Sequence, residues 1–268
     1  MTDSTRGSGP TQALRVIVTR PAAQAVDWVE RLRARGIDAF ALPLIGISPV
    51  ADRSALRGAW DRLAALRLVV FVSPNAAQHF MAERPDGCAW PPGTRAGSPG
   101  PGTTRVLVGL GVPLQCVVEP ASDAAQFDSE SLWLQLEAHD WQGADVLIVR
   151  GDGGRDWLAD TLRGHGAAVS FVQAYRRTGP QFDAAELALL REAVVRPAKH
   201  LWLFSSSEAI DHLAGINALA PAPDWSGARA IATHPRIAER AKALGFTEVT
   251  QARPTLDALV ACIQSFRP

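Results

Sequence analysis

Two stretches of this chain share one pattern: a short apolar run, a cluster of hydroxyl side chains, and the start of a helix. The first, VVFVSPNAAQHF, begins at Val69, and the second, LWLFSSSEAIDHL, begins at Leu201. Ser73 and Ser206 occupy matching places in them, 133 residues apart. A strand that leads directly into a helix is the building unit of α/β proteins. Its recurrence about half a chain apart favours an internal duplication.

Two further matches support the duplication. Arg20 and Arg150 follow the apolar runs LRVIVT and DVLIVR and lie 130 residues apart. Pro101 and Pro235, in GPGT and HPRI, open two predicted helices and lie 134 residues apart. Similar spacings also occur in α/β chains without duplication, and that alternative stays open here. Either way, strands that alternate with helices predict an α/β fold with two similar domains, each a parallel sheet flanked by helices.

Composition excludes several classes of protein. The chain has 268 residues, 27 Lys and Arg against 27 Asp and Glu, and three Cys in no zinc-binding pattern. A balanced charge argues against a nucleic-acid partner, and the Cys usage favours a reduced, cytoplasmic setting. No apolar run approaches the ~20 residues of a membrane span. Residues 1–13 are polar and rich in Gly and Ser, which predicts a disordered tail. Residues 83–102 hold five Pro and five Gly, which predicts a long loop.

Candidate binding residues follow the predicted strands. Ligands of parallel sheets bind outside the carboxyl ends of the strands, and hydroxyl groups and free backbone N–H groups at helix starts bind anions. Two domains would place these strand ends around one cleft. Helix capping is the competing explanation for the serines. The residues at the strand ends are Thr19, Arg20, Ser73, Pro74, Asn75, Arg150, Gly151, Ser205, Ser206 and His234.

Other kinds of chemistry find little support in the sequence. The serine clusters lack the G-x-S-x-G pattern of hydrolases. The turn RGDGGR is neither a dinucleotide fingerprint nor a phosphate-binding loop with Lys, so a nucleotide-dependent transferase is disfavoured. No His or Cys pattern predicts a metal site. Most of the six His fall on predicted helices, where surface or capping roles are expected. Tyr175, the only tyrosine, either packs in a strand or donates a proton from the domain junction.

An ordered set of motifs resembles the uroporphyrinogen-III synthase family. The set runs VIVTRP, ALPLIGISP, VFVSPNAAQHF, GPGT, FDSESL, RGDGGRDWLADTLRGHGAAV, AYRR, LFSSSEAI and PTLDALVACI. It covers nearly the whole chain, from Arg15 to about Phe266. No single motif is specific by itself; the order of the set is.

The resemblance implies a particular organisation. The family fold has two similar α/β domains joined by a two-stranded linker, with the second domain inserted into the first. Here domain 1 would be discontinuous, from residues 14–41 and 179–268. The linker strands would be residues 42–50 and 169–178, and domain 2 would be residues 51–168. The duplicated turns would then lie on different domains.

The resemblance also implies a reaction. The family cyclises the linear tetrapyrrole hydroxymethylbilane to uroporphyrinogen III, with loss of water and inversion of ring D through a spiro intermediate. The unassisted closure gives the uninverted isomer, so the enzyme acts mainly by positioning the substrate. No cofactor is implied. The expected protein is a cytoplasmic monomer, with transient contact to the enzyme that makes hydroxymethylbilane. The alternative is a non-catalytic two-domain binding protein for a small anionic ligand.

Family roles carry over to a few positions. Tyr175 matches the family tyrosine that assists departure of the hydroxyl group. The remaining matches are expected to bind the eight substrate carboxylates. The late turn HPRIA departs from the family pattern, because Arg236 or Ile237 stands where a threonine is usual. His234 and Arg236 would supply anion contacts there. The matching residues are Ser73, Pro74, Asn75, Gly102, Thr103, Ser205 and Ser206.

Overall fold

The computed structural model describes residues 14–216 and 223–266. The predicted disordered tail, residues 1–13, lies outside the described residues. Contacts divide the chain into two units: unit 1 comprises Met1–Gly46 and Gly179–Pro268, and unit 2 comprises Ile47–Thr178. None of the helices in the described ranges is long and apolar enough to cross a membrane.

The described residues form twelve strands and ten α-helices. The strands are β1 (Arg15–Val18), β2 (Ala39–Ala41), β3 (Gly46–Pro49), β4 (Leu68–Phe71), β5 (Arg95–Gly97), β6 (Val117–Val118), β7 (Asp145–Arg150), β8 (Ala168–Gln173), β9 (Tyr175–Thr178), β10 (His200–Phe204), β11 (Arg229–Ala232) and β12 (Glu248–Gln251). The helices are α1 (Ala22–Arg33), α2 (Ser54–Asp61), α3 (Pro74–Met81), α4 (Pro101–Gly109), α5 (Ser129–Trp133), α6 (Trp157–Gly164), α7 (Ala184–Val195), α8 (Ser207–Ala214), α9 (Pro235–Leu244) and α10 (Leu256–Ser265).

Unit 1 contains a five-stranded sheet in the order β12-β11-β10-β1-β2. All four neighbouring pairs are parallel. Every residue of β10 is buried, because the sheet is covered on both faces. Leu201 and Leu203 pack with α1 and α10 on one face. Trp202 and Phe204 meet Phe246, which follows α9, on the other. The apolar run LWLF therefore forms the centre of this core.

Unit 2 contains a second five-stranded sheet, in the order β6-β5-β4-β7-β8, again parallel throughout. Val69 and Phe71 pack against α2, α3 and α4. Leu68 and Val70 pack against α5 and α6 on the opposite face. The alternation of side chains along β4 thus supplies two cores from one four-residue strand.

The two sheets have the same strand order when the duplicated segments are matched. The segment of Arg20 ends β1 and that of Arg150 ends β7, while the two serine turns follow β10 and β4. Each matched strand occupies the same place in its sheet. Gly111 and Gly245, paired by the sequence, both have positive φ, 94° and 117°. The predicted α/β class, with two parallel sheets flanked by helices, is confirmed, and the common order supports the duplication.

A separate two-stranded sheet pairs β3 with β9. The sequence predicts one linker strand over residues 169–178, but the structure forms two strands there. Residues 168–173 are β8, which pairs with β7 along its whole length, and only β9 pairs with β3. The β7 strand, an apolar run of its own, provides the ladder that keeps β8 in the larger sheet. The other predicted domain boundaries stay predictions.

Candidate active site

The strand ends of unit 2 bring three of the predicted site residues together. The neighbouring strands β4 and β7 are parallel and aligned at Phe71 and Val149, so the turns that follow them lie at the same edge of the sheet. Ser73 lies in the first turn and Gly151 in the second. The chain returns to this edge through β8, where the N–H of Ala174 donates to the carbonyl of Arg150 at 2.8 Å. The next residue is Tyr175.

The Tyr175 side chain is buried, with 4 % of its surface exposed. Its hydroxyl oxygen lies 3.1 Å from Ser73 Oγ, within hydrogen-bond distance. Ser73 is the N-cap of α3, and its Oγ also accepts a hydrogen bond from the N–H of Ala76 at 3.2 Å. Capping and the contact with the tyrosine are therefore performed by the same hydroxyl group.

Two further residues confine the Tyr175 ring. An added Cβ at Gly151 would lie 2.9 Å from both Cε2 and Cζ of the tyrosine, so the ring occupies the space that a side chain would need. The His79 ring stacks on it, with the centroids 6.0 Å apart and the planes 22° apart. Burial, reinforced by Arg53, lowers the pKa of His79, which favours the neutral ring. The sequence predicts a surface or capping role for His79, and its place on helix α3 carries no signal of this contact.

The turn GPGT opens α4, as the sequence predicts. Gly100 is the N-cap, and an added Cβ there would lie 2.9 Å from Phe127 Cβ. Thr103 is buried, and space is open around the Gly102 Cα. Thr104, absent from the predicted site, donates from Oγ1 toward Ser98 Oγ at 2.9 Å and also contacts Glu119.

Arg150 is already engaged within unit 2. Its guanidinium carbon lies 3.9 Å from the centroid of the Phe171 ring. Its Nη1 also donates to the carboxylate of Asp156. A guanidinium with an acidic partner and a stacking partner has less to gain from a ligand carboxylate than an uncompensated one. The geometry thus gives Arg150 a role in shaping the turn that contains Gly151.

The strand ends of unit 1 begin with a threonine and a buried cation. Thr19 and Arg20 follow β1, beside the end of β10. Both the N–H and the Oγ1 of Thr19 donate to the carbonyl of Leu203. The Thr19 hydroxyl proton is therefore satisfied within the protein, and the next residue, Arg20, is the stronger candidate to bind an anion.

Arg20 is a poorly compensated cation. Its Nη1 reaches the Gln24 Oε1 at 3.5 Å, but its Nε is buried, and no atom of the described residues accepts a hydrogen bond from that nitrogen. Burial, then the charge of Arg31, lowers the pKa of Arg20 to about 10. Its guanidinium lies over Trp28, 5.0 Å from the ring centroid. This environment favours an added anionic partner.

The serine and histidine turns of unit 1 differ from their counterparts. Ser206 is the N-cap of α8, but within the described residues its side chain makes no capping hydrogen bond. The Oγ of Ser205 is buried and likewise has no partner there. His234 caps α9 by accepting the Arg236 N–H at 3.2 Å, and the guanidinium of Arg236 lies 3.4 Å from the other ring nitrogen. The late turn therefore carries a cation where the family pattern has a threonine.

Metal binding finds no support in the described ranges, which contain no group of three or more His, Cys, Asp or Glu side chains able to hold an ion. The remaining predicted residues take structural places. Pro74 is the first residue of α3, and Asn75 is buried behind it. The binding roles predicted for these residues stay predictions.

The fold and its strand-end polar groups define a class: an α/β protein of two similar parallel-sheet units with anion-binding features at the strand ends. A model of the uroporphyrinogen-III synthase HemD family matches residues 26–261, so the chain belongs to this family. The resemblance read from the ordered motifs is confirmed, and with it the expected enzyme, a cyclising lyase. The alternative of a non-catalytic binding protein is not favoured.

Curated relatives carry the same name. The uroporphyrinogen-III synthase of Escherichia coli K12 is 29% identical over 264 residues, which cover 93% of this chain and 99% of the relative. That of Salmonella typhimurium LT2 is 35% identical over 184 residues, 65% of this chain and 69% of the relative.

Solved structures show the same fold. A mutant uroporphyrinogen III synthase from the thermophilic bacterium Thermus thermophilus matches with a TM-score of 0.55 at 15% identity, covering 95% of this chain and 98% of the other. Uroporphyrinogen-III synthetase from Helicobacter pylori 26695 matches with a TM-score of 0.54 at 16% identity, covering 95% and 100%.

Proposed function

We propose that this chain closes hydroxymethylbilane to uroporphyrinogen III, with loss of water and inversion of ring D, and that Tyr175 assists departure of the hydroxyl group. One observation carries the role of Tyr175: its phenol is buried and lies within hydrogen-bond distance of Ser73 at the start of α3. A group held in this way keeps one orientation, as proton donation to a reacting oxygen requires.

The chemistry of the first step suits a phenol. The substrate hydroxyl leaves as water when its C–O bond breaks and a proton is added to the oxygen. Tyr175 would supply that proton and receive one back when the product forms. The inversion of ring D then depends on which carbon of the ring is attacked. Positioning decides that outcome, because the unassisted reaction already runs to the uninverted isomer.

Substrate carboxylates require donors that are free to bind them. Arg20 and Ser205 in unit 1 have buried donor atoms without partners in the described protein. An uncompensated buried cation gains most from an anionic partner, because its desolvation has already been incurred. We therefore assign these two residues the leading binding role. In unit 2, the start of α4 at Gly102 and Thr103 offers backbone N–H groups to a second carboxylate.

The setting of the enzyme is a further part of the proposal. We propose that it works in the cytoplasm as a monomer. We also propose a transient contact with the enzyme that makes hydroxymethylbilane, because a substrate that closes unaided is best passed on directly. Size-exclusion chromatography with light scattering tests the monomer, and a substrate-channelling assay with both enzymes tests the contact.

The decisive experiment incubates the protein with freshly made hydroxymethylbilane and separates the product isomers. We expect isomer III from the wild type and a much lower rate of its formation from Tyr175→Phe, which keeps the ring and loses the hydroxyl. Formation of isomer I alone by the wild type would refute the function. Full activity of Tyr175→Phe would refute only the proton-donor role.

A further inference from the structure

We propose that Ser73 is a positioning residue for Tyr175: it orients the phenol and donates a hydrogen bond to the phenolate oxygen that proton transfer leaves behind. This inference rests on the proposed function of Tyr175. It replaces the role in carboxylate binding that the sequence suggested for Ser73.

Counting donors and acceptors at Ser73 leads to this assignment. A serine hydroxyl has one proton and two lone pairs. One lone pair of Ser73 Oγ accepts the N–H of Ala76, at 3.2 Å. The contact with Tyr175, at 3.1 Å, uses either the second lone pair or the proton. When the tyrosine proton points to the substrate, only the serine proton remains to make that contact.

Proton transfer makes the same arrangement more favourable. The phenolate oxygen is an acceptor only, so Ser73 must then be the donor, and hydrogen bonds to charged oxygens are stronger than neutral ones. Ser73 also caps α3, an eight-residue helix whose N-terminal end is positive. The negative charge that develops on Tyr175 therefore meets a donor that is already in place. Its proton is committed to the phenol, so Ser73 cannot also hold a substrate carboxylate.

The duplication provides an internal comparison. Ser206, the counterpart of Ser73, caps α8 without a side-chain hydrogen bond in the described structure. At the offset that relates Arg20 to Arg150, the counterpart of Tyr175 is Ile45, which is buried and has no polar atom in its side chain. The serine turn is present in both units, but a phenol is present in one only. The pairing of Ser73 with Tyr175 thus distinguishes unit 2 as the unit that carries the proton transfer.

The test compares Ser73→Ala, Ser73→Gly and Ser73→Thr in the assay that forms isomer III. We expect kcat of the Ala and Gly variants to fall about 10- to 100-fold, the size seen when one donor to a developing oxyanion is lost. We expect KM to change less than about twofold, because a positioning residue does not bind the substrate. Ser73→Thr keeps the hydroxyl and should recover most of kcat. Ser73→Gly keeps much of the capping preference, so it remains informative if the Ala variant folds poorly.

Two controls separate positioning from stability. Asp183→Ala removes the N-cap hydrogen bond of α7 and should cost similar stability with unchanged kcat. Ser73→Ala combined with Tyr175→Phe should be no slower than Tyr175→Phe alone, because the two groups act as a unit. A raised KM with normal kcat, or fully multiplicative effects in the double variant, would overturn the inference. A wild type that forms no isomer III would instead refute the proposed function.

Discussion

An alanine at position 151 would place its Cβ 2.9 Å from Cζ of Tyr175 and 3.3 Å from its hydroxyl oxygen. Contacts below 3.0 Å force one of the two groups to move. We expect Gly151→Ala to displace the phenol from Ser73 and to lower kcat for isomer III at least about tenfold, since small misplacements of a catalytic group are costly. Steady-state kinetics with separation of isomers measures the effect.

Gly153→Ala is the matched control for this substitution. It lies in the same turn, and the nearest atom to its added Cβ is Arg177 Nη2 at 3.8 Å, an ordinary contact. We expect its kcat to stay within about twofold of wild type. Equal losses in both variants would mean that the turn as a whole, rather than the space around Tyr175, limits the rate.

Arg20 offers a test that combines binding and stability. Its buried, unpartnered Nε and a pKa lowered to about 10 indicate a desolvated cation that the described protein compensates poorly. We expect Arg20→Met to raise KM about tenfold, by loss of a charged hydrogen bond to substrate. The free energy of unfolding should stay the same or rise, because the buried charge is gone. Enzyme kinetics and urea unfolding measure the two effects.

Arg31→Met serves as the control, because Arg31 contacts the same Trp28 ring, 4.8 Å from its centroid, but pairs with Asp27 at 3.4 Å. We expect little change in KM and a small loss of stability. A normal KM for Arg20→Met would remove this residue from the binding site.

The sequence predicts the fold well where local pattern and tertiary structure agree. The runs VVF and LWLF become central strands because both faces of each sheet are covered by helices. The long loop that the sequence predicts over residues 83–102 is wrong in part. Residues 95–97 form β5 between β4 and β6, and Trp90 is buried with its Nε1 donating to the Thr94 carbonyl. Pairing with an established neighbour overrides the poor strand propensity of RAG.

The candidate site is predictable only in outline. The general rule for parallel sheets locates the strand ends, and Tyr175 stands out as the only tyrosine. The bond between Tyr175 and Ser73 is not predictable, because it joins residues 102 positions apart through the placement of β7 and β8. Neither the stacking of His79 nor the pairing of Arg150 with Asp156 leaves a sequence pattern. Such contacts depend on side-chain directions that spacing alone does not fix.

The glycine that ends α9 should be intolerant of substitution. Gly245 has φ of 117°, a conformation that side chains disfavour, and it ends the helix as a left-handed cap. We expect Gly245→Ala to lower the free energy of unfolding by about 1 kcal/mol or more. Gly164→Ala, in α6 with nothing within 4 Å of the added Cβ, should be neutral or stabilising by up to about 1 kcal/mol. Equal effects in denaturant unfolding would contradict this account.

The buried His200 should make the fold sensitive to mild acid. Burial lowers the pKa of His200, the charge of Arg15 acts in the same direction, and the hydrogen bond from its Nδ1 to the Arg196 carbonyl opposes them. The unfolded chain has a His pKa near about 6.5, so it binds a proton at higher pH than the folded chain does. Stability is therefore retained above about pH 6.5 and lost as the pH falls toward the lower folded value.

His200→Asn tests this directly, because the Asn amide can still donate to the Arg196 carbonyl while the titrating ring is removed. We expect the variant to be less stable than wild type at about pH 7.5, owing to the cavity left by the smaller side chain. Between about pH 7.5 and 5.5, however, the variant should lose less stability than wild type in urea unfolding. His79 and His139, whose pKa values are also lowered by burial, should leave part of the loss in place. An identical loss in both proteins would show that His200 does not contribute to the acid sensitivity.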